Sequence, residues 1–205
     1  MSSPDRLSYW YLRLNGFLTI ENFVVHPDAG PNQRTDADLL GVRFGHRSEN
    51  LLQPMEDDKT VTAVKAYANI IIAEVKKGQC ALNGPWKEAN DQNINRVLSA
   101  IGCIGATELK AASQELYGQG SYVGNCCTVR LMAFGDRHGQ LQIPVQQVLF
   151  DDMLEFIYGR FWEYRRQKAS NGNWPQDGVR LWEAFEQGRS DKDGFRSRAR
   201  KEFGL

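Results

Sequence analysis

The sequence predicts an α/β fold in which a mixed central β-sheet is flanked by helices. A continuous apolar run at 67–76 (YANIIIAEVK) is typical of a central strand that is covered on both faces. Strand-like and helix-like segments follow one another along the chain of 205 residues. Hydrophobic residues make up 41% of the chain, so enough apolar surface is present to cover such a sheet.

The elements follow from composition and periodicity in chain order. The first part of the chain predicts a helix at 7–14, a strand at 17–26 and a turn-rich loop at 26–32. It then predicts a second strand at 36–44, a polar surface insertion at 45–66 and the apolar strand at 67–76. The next part predicts helices at 89–101 and 107–117, followed by a strand at 121–134. A turn at 135–139 and a short strand at 143–150 come after it.

The last part of the chain predicts two further helices, at 151–168 and 178–187. Asp151 or Asp152 is expected to cap the first of them. The segment RSDKDGFRSRARKEFGL at the end is rich in basic residues and predicts a solvated, partly frayed tail. We therefore assign residues 1–150 to the core and 151–205 to a C-terminal helical extension packed on it.

Charge and cysteine content narrow the functional classes. The 25 basic and 25 acidic residues give a formal net charge of zero, which excludes a strongly basic nucleic-acid coat but not a local basic groove. No stretch approaches the ~20 apolar residues that a membrane helix needs, so no membrane partner is expected. The chain start has no signal-peptide pattern and the 4 cysteines form no C-x-x-C, which together favour a cytoplasmic protein with reduced thiols.

Two charged residues end the most apolar strand. Residues two apart in a strand point to the same face, so Glu74 and Lys76 share a face with Ile72. If the strand at 36–44 runs antiparallel to this one, Asp38 meets Glu74 on that face. Two carboxylates at close range repel unless a cation lies between them, and all-oxygen ligands suit Mg²⁺.

This pattern resembles that of the PD-(D/E)XK nuclease superfamily, which has the restriction-endonuclease-like fold. The stretch RTDADLLGVRF is similar to the family's metal-binding strand, and IIIAEVKKG is similar to its E-x-K strand. The resemblance implies that Asp38 and Glu74 hold Mg²⁺ (or Mn²⁺ as a substitute), helped by the Val75 carbonyl. It also implies that Lys76 orients or activates the attacking water.

The chain departs from the family at three places, and one of them is the long connection between Asp38 and Glu74. Ala37 stands where most members have a proline before the aspartate. The acidic residue that the family often carries in its first helix has no clear match, and Glu21 on the predicted first strand is the nearest substitute. Trp86, which follows the E-x-K strand, is expected to be a core or loop anchor rather than part of the site.

The predicted function is Mg²⁺-dependent hydrolysis of phosphodiester bonds, with DNA as the default substrate and a homodimer left open. One alternative is a nuclease-like domain without catalysis, which binds nucleic acid or another protein. The other is an unrelated helix-flanked α/β protein, in which Glu74 and Lys76 form a solvated ion pair that contributes roughly 0–1 kcal/mol.

Overall fold

The computed structural model describes residues 3–26, 35–62 and 67–205. Their helices are α1 (Pro4–Leu14), α2 (Lys59–Thr62), α3 (Asn93–Ile101), α4 (Leu109–Gln119), α5 (Phe150–Glu163), α6 (Arg165–Lys168), α7 (Gln176–Gln187) and α8 (Lys192–Phe203). Their strands are β1 (Leu18–Val25), β2 (Thr35–Phe44), β3 (Ala68–Val75), β4 (Ser121–Val123), β5 (Cys127–Gly135) and β6 (Gln146–Leu149). Two single 3-10 turns, Gly84–Trp86 and Ala89–Asp91, join β3 to α3.

The strands form one mixed sheet in the order β1-β2-β3-β5-β4, and β6 also pairs with β5. The first three strands are an antiparallel meander, whereas β5 runs parallel to β3. The predicted α/β class, with a mixed sheet flanked by helices, is therefore confirmed. The parallel pair matters for the site because it brings the ends of β3 and β5 to the same edge of the sheet.

Each face of the sheet is covered by its own helices. On one face, which we call the α1 face, the odd-numbered β3 residues such as Ile71 and Ala73 pack with α1, α5, α7 and α8. On the other, which we call the α3 face, the even-numbered residues Ile70 and Ile72 pack with α3 and α4. Both faces of β3 are buried, as its continuous apolar run predicts.

Several predicted elements differ from the structure. The single strand at 121–134 is instead two antiparallel strands, β4 and β5, because Gly124 starts a tight turn and donates its N–H to the Cys127 carbonyl (2.9 Å). The predicted capping by Asp151 or Asp152 is wrong, since α5 already begins at Phe150. The helix at 151–168 is interrupted at Tyr164, which separates α5 from α6.

The basic segment at the end of the chain is not a frayed tail. It forms α8, which buries one side chain per turn, Phe195, Ala199 and Phe203, against the α1 face. The four-residue spacing of these apolar residues places them on one side of the helix. No described helix is both long enough and apolar enough to cross a membrane.

The predicted surface insertion is exposed over most of residues 45–56. It is nevertheless anchored where it returns to the sheet, because Asp57 is nearly buried and Asp58 accepts a hydrogen bond from the Tyr11 hydroxyl (2.7 Å). Residues 63–66 of this insertion and residues 27–32 of the predicted loop lie outside the described residues.

Candidate active site

The candidate site lies where β2 and β3 stop pairing. Their paired register ends at Leu39 opposite Ala73, although β2 remains paired with β1 back to Thr35. Just beyond the last pair, the Asp38 Oδ2 atom accepts a hydrogen bond from the Val75 N–H (2.7 Å). A side-chain carboxylate therefore satisfies a backbone donor that the neighbouring strand no longer reaches.

An unusual backbone conformation in β1 lies beside this point. The β1–β2 pairing skips Asn22 and Asp38, which lie between the pairs Glu21–Leu39 and Phe23–Ala37, and Asn22 has a φ of 49°. Asparagine is one of the few residues other than glycine that adopt this left-handed conformation readily. Asn22 is exposed, as are Leu18 and Ile20 before it, whereas Phe23 and Val25 after it pack in the α3-face core.

Glu74 is held by two donors. Its side chain is only 1% exposed, and its Oε2 atom accepts a hydrogen bond from the Trp86 indole Nε1–H (2.7 Å). Its other oxygen contacts the Lys76 ammonium, which also lies 4.0 Å from Asp38 Oδ2. Asp38 and Lys76 remain partly exposed, at 23% and 32%. The structure thus brings together the three side chains singled out in the sequence.

The electrostatics of this site favour an added positive charge. Burial raises the pKa of the Glu74 carboxyl, and the negative charge of Asp38 raises it further, against the opposing effect of Lys76. Burial also raises the pKa of Asp38, and the nearby charges of Asp5 and Asp36 act in the same direction. A cation between two such carboxyls would stabilise the ionised form of both.

Trp86 has a larger part in the site than the sequence indicates. It is buried in the α3-face core, as an anchoring residue would be, but its indole N–H also fixes the Glu74 carboxylate. Tryptophan can only donate at this atom, so it complements an ionised acceptor. The signal in the sequence for this position of Trp86 is the turn at Asn83-Gly84-Pro85, which directs the chain back to the sheet.

Asp5 in α1, rather than Glu21 on β1, is the acidic residue whose charge acts on Asp38 and raises its pKa. Glu21 is paired with Leu39 and therefore lies on the opposite face of the sheet, where it contacts Arg6. Asp5 is in the first turn of α1, which begins at Pro4 rather than at residue 7. The cap Ser3 followed by proline is a sequence signal for that earlier start.

The described residues hold no group of three or more His, Cys, Asp or Glu side chains arranged to bind a metal ion. The available oxygen donors are the Asp38 and Glu74 carboxylates and the backbone. Beyond Ala73 the edge of β3 that faces β2 has no strand partner, so the Val75 carbonyl is outside that ladder. Such a set can hold a cation that keeps most of its own waters, as Mg²⁺ does.

The chain matches no protein-family model, no curated protein sequence and no solved structure. Its functional assignment therefore depends on the geometry and chemistry of its own residues.

Proposed function

We propose that this protein is a Mg²⁺-dependent nuclease of the restriction-endonuclease-like type, which hydrolyses phosphodiester bonds in DNA. The observation that carries the proposal is the convergence of Asp38, Glu74 and Lys76 at the separation of β2 and β3. A helix, three antiparallel strands, further helices and a strand parallel to the third follow in the order that the resemblance implies.

The donor set fits Mg²⁺. One or two carboxylates plus retained waters is its usual protein environment. Burial raises the pKa of both carboxyls, and a bound cation would offset that effect. Asp38 and Glu74 would hold the ion, with the Val75 carbonyl beside them. When bound, such an ion supplies a water of lowered pKa and stabilises charge on phosphate oxygens.

Lys76 would act on the charge that develops during hydrolysis. Glu74 holds the Lys76 ammonium on the exposed side of the site, and Trp86 in turn fixes Glu74. From there the ammonium can donate a hydrogen bond to a phosphate oxygen or orient the attacking water. A donor that is already oriented needs little reorganisation in the transition state, which is the basis of electrostatic catalysis.

The test is cleavage of supercoiled plasmid and single-stranded DNA in Mg²⁺ or Mn²⁺, with wild type and Asp38→Asn. The isosteric amide can still accept the Val75 hydrogen bond, so folding should be retained while cleavage is lost. Asp193→Asn, at an exposed carboxylate in α8, is the matched control and should cleave normally. A rise of the melting temperature with Mn²⁺ in wild type but not in Asp38→Asn would provide a readout independent of turnover.

Absence of cleavage of every DNA and RNA tested, or equal cleavage by wild type and Asp38→Asn, would contradict the proposal. The second candidate is then a nuclease-like module without catalysis. It is favoured by the fact that both Glu74 oxygens already have protein partners. Binding to a labelled duplex that weakens steeply with salt would support that function.

A further inference from the structure

Most of the exposed large apolar side chains lie at one end of the sheet. Nine such side chains occur among the described residues, and six of them belong to the start of β1, the end of β2, the insertion after β2 and the residue before β3. The end of β2 at Phe44 is six residues from Asp38, or about 20 Å at the usual rise of a strand. These six side chains are therefore separate from the candidate active site.

Four of the six side chains form a patch on the α3 face. We call it the apolar patch, and it consists of Leu18, Ile20, Phe44 and Tyr67. The strand partners of Leu18, Ile20 and Phe44 all belong to the α3-face core, and directly paired residues share a face of the sheet. The rings of Phe44 and Tyr67 are in edge-to-face contact, with their centroids 6.1 Å apart. Between 49% and 71% of each of these residues is exposed, so α3 and α4 leave this part of the face uncovered.

The other two side chains project from the insertion. They are Leu51 and Leu52, which we call the leucine tip, and they are 91% and 93% exposed. The Asn50 Oδ1 atom accepts hydrogen bonds from the N–H groups of Leu52 (2.9 Å) and Gln53 (3.2 Å). Asparagine commonly stabilises a turn in this way. The backbone of the leucine tip is therefore held in place while both leucine side chains extend into solvent.

The insertion is anchored on the opposite side of the sheet from the apolar patch. The Tyr164 hydroxyl, at the end of α5, accepts a hydrogen bond from the Met55 N–H (2.6 Å) and donates one to the Gln53 carbonyl (3.1 Å). Glu49, which precedes the tip, contacts Arg160 of α5 (3.0 Å). Since α5 packs on the α1 face, the leucine tip and the apolar patch of one chain cannot cover each other without losing these contacts.

The two surfaces together are large enough for a stable dimer. The six side chains expose about 500–600 Å² of apolar surface, at about 100 Å² for an aliphatic side chain and about 200 Å² for a ring. A standard interface buries about 800 Å² per partner, and about 57% of it, or about 450 Å², is apolar. One surface projects, the other lies on the sheet, and neither contains a charged side chain. One copy therefore carries both halves of an apolar contact with a second copy.

We propose that the protein forms a two-fold homodimer in which the leucine tip of each copy packs on the apolar patch of the other. This reciprocal contact uses both surfaces of both copies and closes the assembly at two chains. A partner of different sequence would have to supply a tip and a patch of its own, whereas a second copy already has both. The dimer does not depend on the proposed nuclease activity.

The test is sedimentation equilibrium of the full chain over a wide range of concentrations. We expect wild type to reach twice the 23.3 kDa mass of one chain. The double substitution Leu51→Ser with Leu52→Ser should weaken dimerisation at least a hundredfold, because projecting apolar side chains that become buried contribute most to such contacts. Both leucines are exposed in the single chain, so melting curves should show that this tip variant is folded.

Mixing two variants tests the reciprocal arrangement. Leu18→Ser with Ile20→Ser changes the apolar patch and leaves the leucine tip intact, so this patch variant alone should also dimerise weakly. An equal mixture of the tip and patch variants keeps one intact contact and should form heterodimers more readily than either variant forms homodimers. Val123→Ser, at a residue that is 70% exposed on the opposite edge strand β4, is the matched control and should dimerise as wild type does.

A wild type that is monomeric at every concentration would overturn the proposal, and so would a tip variant that dimerises as wild type does. Equal loss of dimers in Val123→Ser, or a mixture that associates no better than its two components, would overturn it as well. A monomeric wild type that floats with phosphatidylcholine vesicles, unless the leucine tip is changed, would assign these leucines to a lipid surface instead.

Discussion

The two ends of the sheet bury charge in opposite ways. Where β2 and β3 separate, two carboxylates share one ammonium, and each carboxyl has a raised pKa. At the other end of β2, four cations share the carboxylates of Glu49 and Asp57, and the pKa of one of them, Lys168, is lowered. The other three cations are Arg43, Arg47 and Arg160. One end is short of positive charge and the other is short of negative charge.

The two ends show two ways in which one small fold keeps an imbalance of charge. At the acidic end, the imbalance lies at the termination of a strand pair and stays partly exposed, as a site that exchanges ligands requires. At the basic end, the same cations also fix residues 45–58 to α5 and α6, so the imbalance is tied to folding. The expected effects of mutation differ accordingly.

The largest effect should come from removing an acceptor at the basic end. Asp57→Asn leaves three arginines around a neutral amide and should lower the free energy of unfolding by about 3–5 kcal/mol. Arg160→Met removes one surplus cation, keeps much of the volume and should cost less than half as much. Urea denaturation measures both. A larger loss for Arg160→Met than for Asp57→Asn would show that the cations around Glu49 and Asp57 do not exceed the carboxylates in charge.

The corresponding change at the acidic end should affect turnover rather than folding. Lys76→Ala removes the ammonium next to Glu74 and should lower Mg²⁺-dependent cleavage by ~10²–10³, with DNA binding nearly unchanged. Lys77→Ala, the adjacent exposed lysine, is the matched control. Undiminished cleavage by Lys76→Ala would remove this residue from the reaction, and melting curves check that each variant is folded.

A smaller effect is expected from the residue that orients Glu74. Trp86→Phe keeps an aromatic ring in the core but loses the N–H that binds a buried carboxylate. Hydrogen bonds to charged groups contribute about 1.5–3 kcal/mol, so a loss of that order in the free energy of unfolding is expected. Trp162→Phe, at an exposed tryptophan, is the control and should be nearly neutral. Equal stability of the two variants would mean that the indole N–H contributes nothing.

The smallest effect concerns pH. Because the folded-state pKa of Lys168 lies below its usual value of 10.5, the unfolded chain holds this proton more tightly. The contribution of Lys168 to stability should therefore rise as the pH increases toward 10.5. The difference in urea midpoint between wild type and Lys168→Met, followed across the alkaline range, measures it. A difference that stays constant or falls would contradict the lowered pKa.

The sequence was sufficient to predict the acidic end because its signals are local. Alternation within one apolar strand puts Glu74 and Lys76 on one face, and an antiparallel neighbour brings Asp38 to them. The point at which β2 leaves β3 was not predictable, because no local pattern in the sequence marks the last pair, Leu39 with Ala73. The helix α8 was missed because its charged residues outnumber the three apolar ones that it buries.

The basic end could not be predicted in the same way. Its contacts join residues more than a hundred positions apart, such as Asp57 with Arg160 and Glu49 with Lys168. Nothing in the polar insertion distinguishes these carboxylates from the exposed Glu56 next to them. Long-range ion pairs between surface-type residues leave no periodic pattern in a sequence.

The hydrogen bond from Val75 to Asp38 has a consequence for amide hydrogen exchange. A strand amide normally exchanges when its ladder opens, which requires two strands to separate. The Val75 amide is instead covered by one rotatable carboxylate at the end of the ladder. The exchange rate of this one amide therefore reports the orientation of the Asp38 side chain. The amides in the paired part of β3 report the opening of the sheet.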